Sequence, residues 1–283
     1  MQVKIIVDST ADLTPETADR VGIVPLTVRF GETEYVSGVD IDAQKFYEML
    51  VESDVLPTTS QPTPFAFEEA FRKAVEEGCE VVCLTCSGKL SGTNQSANIA
   101  AEEFSGKVHV VDSNTIAISL GILVEYALQL VDRGLSAREI VQKLLRKREK
   151  VRLLALVDTL EYLKKGGRVS AAVALAGGLL NINPVITVAD GEIKLLGKAR
   201  GSRQGNNLLV QEIEKAGGVD FSKPVMLGYT GVSDVLLQKY IQDSASLWEG
   251  HMDQLPVSIV GSVVGTHAGP GAVAVAFFAQ DSE

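Results

Sequence analysis

Short apolar runs, each ending in a small polar residue, recur through the first half of the chain with helical segments between them. Continuous apolar runs of this length predict a parallel sheet with both faces covered, because such strands have no side that faces water. In such sheets ligands bind beyond the carboxyl ends of the strands, so the polar residues there are candidates for a site or, equally, for helix N-caps. The runs are Lys4–Val7 before Asp8, Val81–Leu84 before Thr85, Val108–Val111 before Asp112 and Leu153–Val157 before Asp158.

Prolines and glycines mark where the intervening helices begin and end. Thr14-Pro15 and Thr63-Pro64 each combine an N-cap residue with a proline that suits the first helical turn. Gly22 and Gly78 then end these two helices. Two further helices are predicted at 118–133 and 136–150.

The pattern changes after about residue 158. Asp190-Gly191 separates two short apolar runs and predicts a β-hairpin. The remaining predictions are helices at 159–165, 171–180, 203–216 and 233–248, and strands at 224–229, 257–262 and 272–279. The predicted fold class is therefore α/β with two domains: a three-layer α/β/α domain with a parallel sheet over 1–158, and a two-layer α/β domain with a mixed sheet over 159–283.

Composition narrows the possible partners. A chain of 283 residues that is 46% hydrophobic can build a large core. Its net charge of −10 argues against a nucleic-acid partner, which would need a basic face. No run is long enough to predict a membrane span, and residues 1–7 lead directly into a strand without a signal-peptide pattern, so we expect a cytoplasmic protein.

Three cysteines, Cys79, Cys83 and Cys86, lie in or beside one apolar run. A zinc site would need a fourth ligand, and the sequence offers no second Cys or Cys/His cluster. We therefore expect reduced thiols in the core and no metal or other cofactor.

Three turn-forming segments are candidate ligand loops. Residues 57–64 contain three prolines that favour an extended path, and residues 87–97 form a strand-to-helix turn whose free N–H groups suit an anion. In residues 265–271, three glycines and a proline surround His267. This composition predicts a non-helical turn between two buried strands that displays the imidazole, although a tight hairpin with an incidental histidine fits the motif equally well.

The common catalytic signatures are missing from the sequence. Neither a phosphate-binding P-loop nor the dinucleotide pattern Gly-x-Gly-x-x-Gly nor a Gly-x-Ser-x-Gly elbow occurs. A triad could be drawn from Ser91, His267 and Asp8, but a protein of this size offers many such combinations. We therefore predict a protein that is not an enzyme, with His109 and His251 structural or solvated.

Five motifs in this order together resemble the DegV family over essentially the whole chain. They are Asp8-Ser9-Thr10-Ala11-Asp12-Leu13, Thr59-Ser60-Gln61-Pro62, Leu90-Ser91-Gly92-Thr93-Asn94-Gln95-Ser96-Ala97, the segment from Thr159 to Ser170, and Gly265-Thr266-His267-Ala268-Gly269-Pro270-Gly271. Members of that family bind fatty acids and include the lipid-carrying subunits of bacterial fatty acid kinases.

The resemblance implies a long-chain fatty acid held between the two domains and presented to a partner enzyme, for which a fatty acid kinase is the candidate. Carried over from the family, the residues at the carboxylate are Thr59, Ser91 and His267, with Arg200 as a further candidate. The neighbouring residues Ser60, Gly92, Thr93 and Thr266 complete the ligand-binding set.

Some residues depart from the family pattern. Asn94 replaces a usual aromatic residue, Asn183 stands near a usual lysine, and Gln204-Gly205-Asn206 replaces a basic cluster. The implied lipid site is intact, but the implied kinase docking is weaker. The alternative function is that of a dihydroxyacetone-kinase-like subunit that binds a small carbonyl substrate through His267. An apolar cavity of acyl length would favour the lipid function, and a small polar pocket would favour the alternative.

Overall fold

The computed structural model describes residues 2–169, 182–251 and 254–280. Its strands are β1 (Gln2–Asp8), β2 (Gly22–Val24), β3 (Thr27–Phe30), β4 (Thr33–Val36), β5 (Thr58–Ser60), β6 (Cys79–Thr85), β7 (Val108–Asp112), β8 (Val151–Leu156), β9 (Ile182–Ala189), β10 (Glu192–Arg200), β11 (Met226–Tyr229), β12 (Val257–Ile259) and β13 (Val273–Phe278). Its α-helices are α1 (Pro15–Ala18), α2 (Ala43–Glu52), α3 (Pro64–Glu76), α4 (Thr93–Ala101), α5 (Ala117–Asp132), α6 (Ala137–Lys147), α7 (Glu161–Lys165), α8 (Ser202–Lys215), α9 (Val235–Asp243), α10 (Ala245–Trp248) and α11 (Ser262–Ala268).

The first sheet is parallel and has the order β2-β1-β6-β7. Ile5 and Val7 pack on one face with α5 and α6, whereas Ile6 packs on the other with α3 and α4. Because both faces are covered, every residue from Ile5 to Asp8 is buried, which explains the continuous apolar run. The predicted three-layer arrangement is confirmed.

The second sheet is mixed, with the order β10-β9-β8-β13-β11-β12. Its β8 strand covers most of the run Leu153–Val157 that the sequence analysis grouped with the parallel strands. That grouping is wrong, because β8 pairs antiparallel with both β9 and β13. A buried apolar run records that both faces are covered and says nothing about the direction of the neighbouring strands. The domain boundary at residue 158 stays a proposal.

Helix α5 lies between the two sheets. Its apolar side chains surround the helix axis, and they share one core with β1 and β6 on one side and with β8 and β13 on the other. A helix that is hydrophobic all round must be buried all round. On the far side of the mixed sheet, α8 and α9 cover the opposite face.

A small antiparallel sheet, ordered β4-β3-β5, carries part of the first candidate loop. The sequence analysis made no prediction for residues 23–56. Together with α2, this sheet packs against α11 through a separate apolar cluster that includes Phe46, Tyr47 and Val263. It thereby brings Thr59, in β5, to the part of the chain that holds His267.

Several local predictions can now be compared with the structure. The hairpin β9–β10 is confirmed, with positive φ angles at Asp190 (54°) and Gly191 (77°), as an Asp-Gly turn requires. The long helix predicted at 233–248 is two helices, α9 and α10. The predicted helix at 171–180 lies outside the described residues.

Candidate functional site

A cleft lies between the two sheets, and most of its lining is apolar. Its open space, including the part that communicates with solvent, is about 920 Å³. Thr10, which follows β1, and Ile116, which precedes α5, line the side of the parallel sheet. The mixed sheet and α11 supply much of the rest, including Leu153, Ala155, Ile186, Ile193, Val264 and Ala274.

Small side chains on the mixed sheet leave this space open. Ala155 of β8 and Ala274 of β13 are direct cross-strand partners, and both line the cleft. Ala272, just before β13, lines it as well. Directly opposed residues share one face of an antiparallel pair, so two adjacent alanines leave a gap there instead of filling it.

Polar groups gather at one part of the cleft. Thr59 and His267 both line it, and the Thr59 Oγ1 atom lies 3.0 Å from the His267 Nε2 atom. Ser91, in the loop between β6 and α4, lines it too. Its hydroxyl lies 2.8 Å from that of Thr93. A strand, a loop and a helix that are far apart in sequence therefore place hydroxyl and imidazole groups in one cleft.

Asp8, the polar residue that ends β1, does not line the cleft and holds backbone instead. The two oxygens of Asp8 accept hydrogen bonds from the backbone N–H groups of Thr10 (2.9 Å) and Cys86 (2.7 Å). Asp8 thus ties together the turns after β1 and β6. The three residues from which a triad could be drawn are not arranged as one, because His267 contacts Thr59 and Asp8 is engaged by backbone.

The backbone around His267 differs from the sequence prediction. Residues 262–268 form helix α11, so the predicted non-helical turn begins only at Gly269, where φ is 71°. A methyl group at Gly265 would come within 2.5 Å of the Tyr47 hydroxyl, and one at Gly269 within 2.2 Å of the Tyr162 ring. Both glycines therefore admit aromatic side chains, which is why the segment is glycine-rich and still helical up to Ala268.

A third glycine makes room for the imidazole itself. A methyl group at Gly166 would lie 2.2 Å from His267 Nδ1, and within the described residues this buried nitrogen has no hydrogen-bond partner. Burial, and to a lesser extent the nearby charge of Arg168, lower the pKa of His267 to about 4. His267 is therefore neutral at physiological pH.

Arg168 is the cation at this site, and the sequence analysis did not single it out. Its side chain lines the cleft, its Nε atom donates to the carbonyl of Leu90 (3.1 Å), and its Nη1 atom donates to that of Gly166 (2.6 Å). The guanidinium is thus held beside the loop that carries Ser91. The available signal was the position of this arginine directly after Gly166-Gly167, within the fourth of the five motifs.

The other residues carried over from the resemblance do not line the cleft. Ser60 and Arg200 are exposed, and the Arg200 backbone N–H donates to Gln204. Gly92 leaves room for the Gln61 side chain, since a methyl group there would lie 2.1 Å from Gln61 Oε1. Thr93 is buried beside Ser91.

Thr266 is also engaged elsewhere, because its hydroxyl donates to the carbonyl of Ser262 one turn earlier in α11. Within the described residues, then, the cleft receives Thr59, Ser91 and His267 of the eight candidates. The other five support neighbouring backbone or face solvent.

The remaining polar candidates are structural. Cys79, Cys83 and Cys86 are buried free thiols, as expected. His109 lies in β7, and His251 stacks on Phe221 with ring centroids 4.1 Å apart. The described part of the chain contains no group of side chains able to hold a metal ion. None of the helices described has both the length and the apolar character to cross a bilayer.

A family model described as "Uncharacterised protein, DegV family COG1307" matches residues 2–280. A DegV domain-containing protein of Deinococcus radiodurans is 39% identical over 282 residues, covering 98% of each chain. The resemblance drawn from the five motifs is therefore confirmed.

Solved structures share the fold over nearly the whole chain. A DegV family protein from Thermus thermophilus, described by its fatty acid binding, has a TM-score of 0.88 at 32% identity and covers 99% of this chain and 100% of its own. A stearic acid-binding protein from Eubacterium ventriosum has a TM-score of 0.88 at 30% identity, with 98% of each chain covered. The Fatty Acid Kinase B3 protein of Streptococcus pneumoniae, loaded with linoleic acid, has a TM-score of 0.85 at 26% identity and covers 99% of this chain and 100% of its own.

Proposed function

Since this chain belongs to the DegV family, we infer that it binds a long-chain fatty acid in the cleft between its two sheets and presents the carboxylate to a partner enzyme. The observation that carries the proposal is the cleft itself, which is apolar along most of its lining and polar where Thr59, Ser91 and His267 gather. A fatty acid has the same division, with one polar end and a long apolar body.

The tail supplies most of the affinity in this proposal. Burying one methylene group yields about 0.8 kcal/mol, so a dozen buried methylenes give a gross gain on the order of 10 kcal/mol before ordering costs. The alanines at 155, 272 and 274 leave room for such a chain against the mixed sheet. This apolar lining favours a lipid over the small carbonyl substrate of the dihydroxyacetone-kinase-like alternative.

The polar groups serve to hold the carboxylate. Burying a carboxylate without partners would be prohibitive, so it needs hydrogen-bond donors and, best, a positive charge. The hydroxyls of Thr59 and Ser91 can donate, and the guanidinium of Arg168 lines the same cleft. Because the low pKa of His267 keeps it neutral, the charge comes from Arg168, and the imidazole contributes a hydrogen bond.

The chain itself carries out no chemistry in this proposal. The Thr59 hydroxyl lies within hydrogen-bond distance of His267, but the other imidazole nitrogen has no orienting partner among the described residues and the low pKa makes the imidazole a weak base. The sequence also has no phosphate-binding loop. A kinase that adds phosphate to the bound carboxylate is the candidate partner, and both proteins would act in the cytoplasm. Asn183 and Asn206, two of the departures from the family pattern, are neutral and donate to Asp158 (3.3 Å) and Asp243 (2.8 Å), so neither supplies the positive charge that the family pattern implies.

Native mass spectrometry of the purified protein, followed by organic extraction, tests the proposal directly. We expect a mass increment equal to one long-chain fatty acid that is lost on extraction. Stripped protein should then take up labelled palmitate or oleate. The proposed function would be ruled out if the purified protein contained no fatty acid and took up neither labelled palmitate nor labelled oleate.

Single substitutions test the head-group assignment. His267→Ala should weaken fatty-acid binding most, and Thr59→Ala and Ser91→Ala should each cost on the order of 1–3 kcal/mol, as expected when a buried acceptor loses a partner. Ser60→Ala is the matched control, because Ser60 is the exposed neighbour of Thr59 in the same strand. Equal affinity in all four variants would place the carboxylate elsewhere.

The partner step has its own test. Lipid-loaded protein is incubated with ATP and magnesium, with and without a fatty acid kinase from the same organism, and acyl phosphate is measured. We expect product only when the kinase is present. Product from this chain alone would overturn the carrier role.

A further inference from the structure

A buried acid lies beside the first turn of the helix that carries His267. Asp12, in the loop after β1, is only 5% exposed. Its Oδ1 atom accepts a hydrogen bond of 2.7 Å from the backbone N–H of Gly261, the N-cap residue of α11. Its Oδ2 atom is buried and has no partner among the described residues. A buried polar atom of this kind calls for an explanation.

Neighbouring side chains hold the same stretch of backbone. The Tyr47 hydroxyl donates to the carbonyl of Val260 (2.9 Å), and the Ser262 hydroxyl donates to the side-chain hydroxyl of Ser37 (2.9 Å). Residues 260–262 are therefore anchored by side chains from three separate parts of the first half of the chain. Asp12 is the one of these three anchors that can carry a charge near neutral pH.

Asp12 is itself held rigidly. Its backbone N–H donates to the carbonyl of Ala117 at the start of α5 (3.4 Å). Its own carbonyl oxygen lies so close to α5 that a methyl group at Gly121 would come within 2.1 Å of it. The carboxylate is thus a fixed point of the first half of the molecule.

The other end of α11 is at the polar part of the cleft. The helix has seven residues, and His267 lies in its last turn with Nε2 3.0 Å from Thr59 Oγ1. So short a helix, packed against aromatic rings at Gly265 and Gly269, has little freedom to bend, and a shift at its first turn moves its last.

We propose that Asp12 is a positioning residue for the head-group site: its carboxylate holds the first turn of α11 and thereby keeps His267 against Thr59. The inference rests on the proposed function, since the site it positions is the one that takes the fatty-acid carboxylate. It also gives a role to Asp12, a residue of the first of the five motifs that does not line the cleft.

The protonation state of Asp12 gives the proposal a distinctive signature. Burial raises the pKa of Asp12 to about 7, against the opposing effect of the Gly261 hydrogen bond. The titratable groups that face it are the phenol of Tyr47 and, beyond that, the phenol of Tyr229. A charged acceptor binds an N–H group more strongly than a neutral one, so α11 is held best above pH 7.

The free energy of unfolding changes with pH in the opposite direction to the anchoring of α11. A carboxyl whose pKa is raised in the folded state contributes stability that is fully present below its unfolded pKa and is lost as pH rises through about 7. The fold is therefore weakened as the pH rises to about 7, whereas the head-group site becomes better ordered as the pH rises through about 7. A merely structural role for Asp12 would not separate the two.

The test uses the imidazole signals of the lipid-free full chain, which has only three histidines. The pKa of His267 is about 4, so a change in its resonance near pH 7 reports a neighbour and not its own titration. We expect such a step in the wild type, its loss in Asp12→Asn, and a displaced or broadened signal at all pH values in Asp12→Ala. A His267 signal that is identical in the wild type and both variants would overturn the proposal.

Fatty-acid affinity is the second readout. Asp12→Ala should weaken binding about tenfold, whereas Asp12→Asn, whose amide oxygen still accepts from Gly261, should recover most of the loss. Ser244→Ala, which removes a buried hydrogen bond to Trp248 in the distant helical layer, is the control for general destabilisation and should leave binding unchanged. Asp12→Ala with wild-type affinity would also overturn the proposal.

These outcomes can be told apart from a failure of the proposed function. If the wild type bound no fatty acid, the function would fail, and the imidazole signals would still decide whether Asp12 positions His267. If the wild type and Asp12→Ala bound equally well while His267→Ala did not bind, the function would stand and the role of Asp12 would fall.

Discussion

The two faces of the mixed sheet are built from alternating residues of the same strands, yet they pack very differently. On one face, Leu154 of β8 and Val275 of β13 are cross-strand partners and fill the space under α8 and α9. On the other, the next pair along the strands is Ala155 and Ala274, which border the cleft. One face is filled with large side chains, and the other leaves a space.

The difference shows that the space is encoded by residue size within an otherwise uniform apolar pattern. Both faces are hydrophobic, and the alternation of period two does not distinguish them. A sheet selected for stability alone would fill both faces, because an unfilled core space forfeits dispersion and transfer energy. The cleft face gives up that stability, and a bound fatty-acid tail would restore it.

A cavity in the filled face should have the largest effect on stability. Phe277 of β13 is fully buried there, so Phe277→Ala should lower the free energy of unfolding by about 3–5 kcal/mol. Fatty-acid affinity should change little, because the side chain points away from the cleft. Denaturant titration and a binding assay on the same samples check both halves, and a large loss of affinity would show that the two faces are coupled.

A bound fatty acid should increase the free energy of unfolding through its contacts with the cleft. Fatty acid at one hundred times its Kd should raise the free energy of unfolding by about 2.7 kcal/mol, since it binds only the folded state. Phe277→Ala should keep the whole increment, although it starts from a lower stability. Thermal or chemical unfolding with and without lipid measures this increase in the free energy of unfolding. A wild type that is not stabilised by lipid would argue against a lipid in the cleft.

Filling the cleft should have the reverse effect of opening the packed face. Ala274→Leu adds three carbons where the tail would lie and should weaken binding by about 2 kcal/mol, at about 0.8 kcal/mol for each methylene displaced. Its lipid-free stability should change little, because the new side chain enters empty space.

Val275→Leu is the matched control for this change. It enlarges the neighbouring residue on the filled face, where overpacking typically costs 1–3 kcal/mol of stability, and it should not affect binding. If both variants lost stability and kept affinity, the apparent space beside Ala274 would not be the lipid site.

The smallest expected effect concerns the polar end of the cleft. Because the pKa of His267 is lowered to about 4, the unfolded chain takes up a proton at a higher pH than the folded protein does. Stability should therefore be fully present above about pH 6.5 and fall as the pH decreases towards 4, about 2 kcal/mol of this loss appearing by pH 5. Lipid-free His267→Gln should lack this component in denaturant titrations between pH 7 and 5, whereas Phe277→Ala should retain it. An equal pH dependence in wild type and His267→Gln would mean that this histidine titrates normally.

Several parts of the fold and site could be predicted from local sequence. The parallel strands followed from continuous apolar runs, and the hairpin followed from Asp190-Gly191. The motif series placed Thr59, Ser91 and His267 in one ligand site, and all three line the cleft. In each case the signal lay within a few neighbouring residues, where backbone preference or a recognisable motif is encoded.

Other features depended on partners far away in the chain. The run at β8 reads like its parallel neighbours, but β13, more than a hundred residues later, decides its direction. Helix α11 forms despite Gly265, because Phe46 and Tyr47 occupy the space that this glycine leaves, and Tyr162 packs in the same way at Gly269, just after the helix. Arg168 becomes part of the site only because backbone carbonyls at Leu90 and Gly166 hold its guanidinium there.

The sequence by itself determined which segments are buried and which family pattern they follow, because hydrophobic periodicity and motif spacing are local properties. The tertiary structure decided where space remains between the buried segments. Ala155 and Ala274 read as ordinary core residues, and only their pairing across β8 and β13, facing α11 and the ends of the parallel strands, turns two small side chains into a cleft. An unfilled volume belongs to no single residue, so it exists only once all of its walls are in place.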